Sequence, residues 1–295
     1  MTEAFLLVGP AVIGFLTVRR ASASGPIPVA RWIFLPWAAV FVTFLGAAAF
    51  LLEGSICLIF ALPLALLAAS LSGVIGGLLA RHGTLPSPST TASLALLPFL
   101  LAPAESLLPA PIQTRTVASE ILIHAPARVV WRNIARVPAI APAELHPNWA
   151  QRIGFPRPVE ATLSYEFIGG VRHATFERGL LFLETVTAWQ PGHRLAFSIH
   201  ADTAHIPPTT LDEHVTIGGR YFDVLDGEYR LEPLPDGSIL LHLTSRQRLS
   251  TDFNGYAGLW SDAVMQNLQT SILQVIQHRC EREAQPAAQA RIEKP

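Results

Sequence analysis

Titratable side chains gather in a long polar stretch of the C-terminal half. His200 and His205 stand five residues apart there, with Pro207 and Pro208 just beyond. Catalytic zinc takes three or four nitrogen, sulfur or oxygen ligands, often closely spaced histidines on a helix or strand. Polar clusters on loops are more often solvated. We therefore expect no metal and no cofactor. The stretch and its flanks contain His193, His200, Asp202, His205, Asp212, Glu213 and His214.

A second set of charged residues follows the first strands predicted in this half. Alternation along a strand places Glu166 on the same face as Glu160 and Ser164. A carboxyl group in an apolar pocket can act as a general acid, because burial raises its pKa. Cross-strand ion pairs on the solvated face are the alternative, and we favour them. The set comprises Glu160, Glu166, Arg172, His173, Glu177, Arg178 and Glu184.

The composition divides the chain into an apolar and a mixed part. Half of the 295 residues (50%) are hydrophobic and only 15% are charged, and the mean hydropathy is +0.37. The apolar excess lies before Pro111. We therefore predict a transmembrane region over 1–111, a soluble domain over 112–285 and a disordered tail over 286–295. The net charge of -1 gives no reason to expect a nucleic-acid partner.

Four segments have about the length and composition of a membrane-spanning helix. The first three are Thr2 to Val18, Trp32 to Leu52 and Ser55 to Ala80. The fourth, Thr91 to Ile112, is interrupted by four prolines and contains Glu105. Proline removes a helical hydrogen bond and a carboxylate in the bilayer is costly, so this segment crosses with a kink or lies at the interface.

The arginines near these segments predict the orientation. Arg19, Arg20, Arg31 and Arg81 favour a cytoplasmic position for the first and third loops. With four spans the soluble domain is extracytoplasmic, and with three it is cytoplasmic; we favour four. We expect a multi-pass protein of a bacterial inner membrane. Small residues in the third segment favour a packed helical bundle or a homodimer through these helices.

The C-terminal region predicts an antiparallel sheet and two helices. A strand over 116–124 leads into an amphipathic helix that begins at Pro126. Glycines 169 and 170 form a two-residue hairpin turn, and an amphipathic helix runs from Asn254 to about Glu283. This order predicts an α+β domain in which a curved sheet wraps around the long helix. The remaining predicted strands are 160–168, 171–178, 181–190, 194–200, 221–233 and 238–249.

The order of elements resembles the START-related, or SRPBCC, superfamily, which includes polyketide cyclase/dehydrase-like and Bet v 1-like proteins. The likeness is carried by the segment from Glu120 to Trp131, with Pro126 at the helix start, and by the central strands around Trp189 and Phe197. It covers about 116–283 and implies a helix-grip fold with a hydrophobic pocket beneath the long helix. It transfers no catalytic residue, because no activity-defining motif is present.

Three functional hypotheses follow. The first is a membrane-anchored domain that binds or transfers a hydrophobic small molecule, such as a lipid or an isoprenoid, beside the bilayer. The second is a cyclase- or dehydrase-type enzyme, in which polar side chains such as Glu166, Tyr221 and Arg246 converge inside the pocket. The third is a non-catalytic sensor or assembly protein. The candidate pocket residues are Trp131, Glu166, Tyr221, Arg246 and Trp260.

Overall fold

The computed structural model describes residues 4–50, 54–105, 107, 110–202 and 217–292. The chain forms two compact units, Met1–Pro111 and Ile112–Pro295. The predicted polar stretch lies largely outside the described residues, since His205, Asp212, Glu213 and His214 fall in the gap.

The N-terminal unit contains three helices that are long and apolar enough to cross a bilayer, Ala4–Ser24, Arg31–Ala49 and Ser55–Arg81. The first of these opens with a π-helical turn and continues as α1 (Gly9–Ala21); the others are α2 (Arg31–Ala49) and α3 (Ser55–Arg81). Val40, Ala65 and Ala69 form the buried centre of this bundle.

Glycines allow the helices to approach closely. A Cβ atom on Gly73 would lie 2.2 Å from the carbonyl oxygen of Trp32, and one on Gly77 would lie 2.2 Å from the Trp32 ring. Phe15 of α1 packs in the same way on Gly76. The small residues of α3 are therefore used for packing inside the bundle, as expected for such residues. The homodimer through these helices stays a prediction.

The fourth apolar segment forms two short helices, α4 (Pro88–Leu94) and α5 (Leu97–Glu105), of 7 and 9 residues. Two residues before α4, the carbonyl oxygen of Pro86 accepts a 3.1 Å hydrogen bond from Arg19. Farther along, the Phe99 ring meets Phe5 edge-on, with 5.4 Å between ring centres. Arg19 and Phe5 are at opposite ends of the first helix, so the segment runs along the bundle as a broken helix.

The C-terminal unit is built on one antiparallel sheet. Its strands are β1 (Gln113–Ile123), β2 (Pro158–Leu163), β3 (Val171–Phe176), β4 (Leu181–Gln190), β5 (Arg194–Asp202), β6 (Phe222–Pro233) and β7 (Ile239–Leu249). They are arranged in the order β1-β7-β6-β5-β4-β3-β2. β-bulges interrupt the β4–β5 and β6–β7 pairs and help the sheet to curl into a half-barrel.

In its described residues, three α-helices accompany this sheet: α6 (Ala127–Ala135), α7 (Trp149–Arg152) and the long α8 (Asn254–Ile292). Leu273, Ile276 and Cys280 of α8 pack with Leu195 and Leu241 of the sheet in the main core. A curled antiparallel sheet closed by a long C-terminal helix is the predicted α+β helix-grip arrangement, which is confirmed.

Both edges of the sheet are covered. Gln269 and Gln277 of α8 donate to the carbonyl oxygens of Val117 and Leu122 on the β1 edge, at 3.2 and 2.7 Å. At the β2 edge, Val137 exchanges two backbone hydrogen bonds with Ala161. Covered edges do not pair readily with other chains.

The β2–β3 connection differs from the predicted hairpin. β2 ends at Leu163, and residues 164–170 form a loop in place of a two-residue turn. Tyr165, Phe167 and Ile168 fit a strand pattern, yet all three side chains are exposed. The loop has a defined backbone: Gly169 has φ +86° and its N–H donates to the carbonyl oxygen of Val186 at 2.8 Å.

The last helix continues beyond its expected end. The apolar stripe indicated an end near Glu283, but α8 extends to Ile292 and includes residues that we assigned to a disordered tail. Among the side chains that the structure describes, the last α8 residue packed against the main core is Ala284, close to the end that the apolar stripe indicates.

Candidate functional site

The inner face of the sheet carries a buried ion pair. Arg172 of β3 stands directly opposite Glu184 of β4 in the strand register. Both side chains point inward, because Ala174 and Val186, two residues farther along each strand, are also buried. The strand phase thus places a guanidinium and a carboxylate inside the domain.

Contacts around Arg172 hold its guanidinium in place. Its Nη1 donates a hydrogen bond to Glu184 Oε2, and the group also interacts with the hydroxyl of Tyr229 on β6. The guanidinium carbon lies 5.7 Å from the centre of the Phe197 ring. The Phe197 and Tyr229 rings are 6.2 Å apart. We call Arg172, Glu184, Tyr229 and Phe197 the inner cluster.

Burial of the inner cluster is nearly complete. Arg172, Glu184 and Tyr229 are only 4%, 7% and 3% exposed. Arg172 Nε is buried and has no hydrogen-bond partner among the described residues. An unpaired donor in the interior is costly, and a partner that supplies an acceptor atom would remove this cost.

Desolvation controls the protonation of the cluster. Burial raises the pKa of Glu184, while the positive charge of Arg172 acts in the opposite direction. Burial also raises the pKa of Tyr229 to about 12. The phenol therefore keeps its proton at neutral pH and can act as a hydrogen-bond donor.

A second polar group lies between α8 and the strands β1 and β7, and in it Gln247 Oε1 is also buried without a hydrogen-bond partner among the described residues. Gln269 receives a hydrogen bond from Ser119 at 2.8 Å and donates to Ser245 at 3.0 Å. Nearby, Asp262 accepts hydrogen bonds from Arg115 and Gln247, both in strands. These contacts link α8 to the sheet, and we assign them a structural role.

The five predicted pocket residues do not come together. Glu166 is 60% exposed and pairs with Arg136 at 3.3 Å, and Arg246 is 57% exposed and pairs with Asp226. Trp131 of α6 packs edge-on against Trp189 near the core. Tyr221 is half-buried before β6, with Arg220 over its ring. Trp260, half-buried in α8, contacts Tyr256.

Arg246 instead lines a shallow groove on the outer face of the sheet. The groove has a volume of about 260 Å³ and a largely polar lining. Two of its side chains, Asp226 and Arg246, form an ion pair with each other, and Glu228 pairs with the neighbouring Arg194. It is bordered by Thr116, Asp226, Glu228, Arg230, His242, Thr244 and Arg246.

Within the described ranges, no group of three or more histidine, cysteine, aspartate or glutamate residues is arranged to hold a metal ion. His193, His200 and Asp202 belong to these ranges. The other members of the predicted polar stretch do not.

The alternation of side chains along a strand distinguishes the inner cluster from the charged residues on the outer face. Glu184 shares its phase with Phe182, Val186 and Ala188, which are apolar. This pattern indicates the buried face, although a glutamate by itself favours the solvated one. We expected Arg172 and Glu184 to form cross-strand ion pairs on the solvated face of the sheet. The structure shows that they do pair across the strands, but in the interior of the domain. Nothing in the sequence pattern around Tyr229 distinguishes it as a member of the inner cluster.

Comparisons with known proteins show likeness at the level of structure. No family model and no curated protein matches the chain. A START superfamily protein from Mycobacterium smegmatis has 11% identity and a TM-score of 0.38, with coverage of 57% of this chain and 97% of that one. A truncated norcoclaurine synthase from Thalictrum flavum has 11% identity and a TM-score of 0.35, with coverage of 58% and 95%.

A third similar structure is an uncharacterized protein from Rhizobium leguminosarum. It has 16% identity and a TM-score of 0.35, and the match covers 59% of this chain and 99% of that one. Scores of this size do not assign a family. The fold assignment rests on the strand order and on the packing of α8.

Proposed function

We propose that this protein is a membrane-anchored helix-grip domain that binds a mainly apolar small molecule bearing one polar group, such as a lipid or an isoprenoid. The observation that carries the proposal is the inner cluster, a buried ion pair with an unpaired Arg172 donor beside aromatic rings. Such a site suits a ligand whose hydrocarbon part enters the core and whose oxygen accepts from Arg172.

The alternative is a purely structural ion pair. Buried pairs are weak evidence for stability, because desolvation can exceed the attraction between the charges. A pair with a structural role alone would be expected to satisfy its donors, as Arg279 does. That residue makes four contacts of 2.8–3.0 Å with Glu144 and the carbonyl oxygens of Pro138 and Ala139. Arg172 keeps Nε unpaired, which favours a ligand.

Binding is tested by lipid extraction and mass spectrometry of the full chain purified in mild detergent. We expect an apolar molecule with an oxygen-containing head to be enriched over a mock purification. Tyr229→Phe removes one hydroxyl of the inner cluster and should weaken retention about tenfold. Tyr165→Phe, the same change in the exposed loop, is the control and should have no effect. A wild-type protein without any enriched molecule would contradict the proposal.

The course of the fourth segment supports an extracytoplasmic ligand domain. The segment begins beside Arg19 and reaches the level of Phe5, at the opposite end of the bundle. Arginines favour the cytoplasmic side, so a chain that leaves at the other end emerges outside the cytoplasm. We therefore propose the four-crossing topology, with a broken helix as the last crossing.

Labelling of intact cells with a membrane-impermeant maleimide tests this topology. Thr187→Cys places a thiol on an exposed position of β4, and Ser24→Cys places one in the loop between α1 and α2. We expect the first to react in intact cells and the second only after permeabilisation. The unsubstituted chain is the blank. The reverse pattern would mean that the fourth segment returns without crossing.

A further inference from the structure

Four arginines lie at one end of the N-terminal bundle. Trp32 meets Gly73 and Gly77 while Trp37 bonds to Ser70, so α2 is antiparallel to α3. Gly14 of α1 lies against Ala69 of α3, and Arg19 bonds to Pro86 beyond the end of α3, so α1 runs parallel to α3. The last turn of α1, the first turn of α2 and the last turn of α3 therefore share one end. These turns carry Arg19, Arg20, Arg31 and Arg81.

Two of these arginines are fixed by neighbouring groups. The Arg81 guanidinium lies over the Trp32 ring, with its carbon 4.5 Å from the ring centre. Arg19 uses Nη2 to bond to Pro86. Phe15 packs on Gly76, so Arg19, one turn farther along α1, is level with the last turn of α3 and with Arg81.

Buried donors without partners accompany these charges. Arg19 Nε and the Ser22 hydroxyl are both buried and lack a hydrogen-bond partner among the described residues. They are three residues apart on one helical turn, so they share a face. In the part of the chain that the structure describes, no carboxylate lies within ion-pairing distance of the four arginines.

Two general effects explain part of this arrangement. Basic residues near helix C-termini interact favourably with the helix dipole, and arginines mark the cytoplasmic end of a membrane bundle. Both effects act on charge alone. Neither requires Arg19 Nε and Ser22 Oγ to be buried without an acceptor.

We propose that Arg19, Ser22 and Arg81 form a binding site for a phosphate group. A phosphate brings several acceptor oxygens and negative charge, which suit a guanidinium fork, a hydroxyl and a second fixed guanidinium. The site lies where the apolar helices end, at the depth of lipid headgroups, so a phospholipid is the expected source. This site is independent of the inner cluster.

The test compares lipid retention by the full chain. The protein is reconstituted in vesicles of phosphatidylcholine with or without phosphatidylglycerol, extracted in mild detergent and weighed by native mass spectrometry. We expect bound phosphatidylglycerol on the wild type. Ser22→Ala and Arg19→Lys, which keeps the charge but removes the Nε donor, should each lower retention about tenfold. Arg20→Lys is the matched control and should retain the lipid, because Arg20 is exposed.

A second arm identifies the source of the phosphate. Inorganic phosphate is added to protein in vesicles of phosphatidylcholine alone, and thermal unfolding is followed. Stabilisation that Arg19→Lys abolishes would assign the same site to a free phosphate. Two results would overturn the proposal: neither probe binds the wild type, or Arg20→Lys loses binding as strongly as Arg19→Lys, which would indicate diffuse attraction.

Discussion

The two faces of the sheet carry the same kind of ion pair in different surroundings. On the inner face, Arg172 and Glu184 are almost fully buried. On the outer face, Arg194 and Glu228 are paired at 2.8 Å with side chains 44% and 34% exposed. Exposed pairs contribute little because water screens them, whereas a buried pair loses hydration that only its partners replace. Solubility is a sufficient reason for the exposed pair on the outer face, but it does not explain the buried pair on the inner face.

Replacing one partner of each pair should give the largest difference in the free energy of unfolding. Arg172→Met leaves Glu184 buried without its cation, and we expect a loss of about 3–5 kcal/mol in the free energy of unfolding. Arg194→Met should cost no more than about 1 kcal/mol. Urea unfolding of the detergent-solubilised chain, followed in the C-terminal unit, measures both. Equal losses would contradict the contrast between the two faces.

The Arg172→Met protein should also depend on pH. Without the guanidinium, burial alone acts on Glu184 and raises its pKa above the ordinary value of 4.5. A raised pKa in the folded state means that folding is favoured when the carboxyl group is protonated. The loss in the free energy of unfolding caused by Arg172→Met should therefore be smallest at pH values below 4.5 and grow as the pH rises. A loss that is constant with pH would show that Glu184 is not desolvated.

An intermediate case is the pair that fastens the loop before β2 to α8. Glu144 and Arg279 are 18% and 11% exposed, and the ion pair lowers the pKa of Glu144 to about 2. Arg279→Met should cost about 2–3 kcal/mol. Because the pKa is lowered in the folded state, the contribution of Glu144 is present above pH 4.5 and is lost as the pH falls toward 2. Glu144→Gln should remove this acid dependence.

A smaller effect on stability is expected from a substitution in the backbone next to the inner cluster. Gly227 stands opposite Phe197, and a Cβ atom there would lie 2.6 Å from the ring. Gly227→Ala should displace Phe197 and cost about 1–3 kcal/mol. Gly255→Ala is the control, since an added Cβ at this helical position meets nothing within 4 Å. A neutral Gly227→Ala would show that the ring has room to move.

The smallest effects are expected on the outer surface. Glu166→Gln and Arg246→Gln each break an exposed ion pair. They should leave both the unfolding midpoint and ligand retention unchanged, because water replaces the lost contacts. A loss of bound ligand in either variant would indicate that the substituted residue belongs to the binding site, and it would favour the enzyme hypothesis.

Periodicity predicted the regular elements well, because their burial is regular. The limits of β4 and the start of α6 agree with the sequence pattern. The pattern failed where apolar residues are exposed, as with Phe167, which extended the predicted strand beyond Leu163. It also placed the end of α8 near Glu283, whereas the helix extends to Ile292.

The candidate site was harder to predict than the fold. Glu166 and Glu184 are the same residue type in neighbouring elements, and residue type alone does not separate an exposed carboxylate from a buried one. Only the phase of the flanking apolar residues does so. Tyr229 joins Arg172 through strands that are far apart in the sequence, and such pairings follow from the sheet order rather than from local patterns.

The most direct test of a ligand held by the inner cluster is the ratio of bound apolar molecule to protein in two double variants. Arg172→Met with Glu184→Leu removes the inner pair without leaving a buried charge, so the domain should fold and lose the molecule. Arg194→Met with Glu228→Leu removes the outer pair and should retain it. A folded inner variant that keeps the molecule at the wild-type ratio would contradict the account.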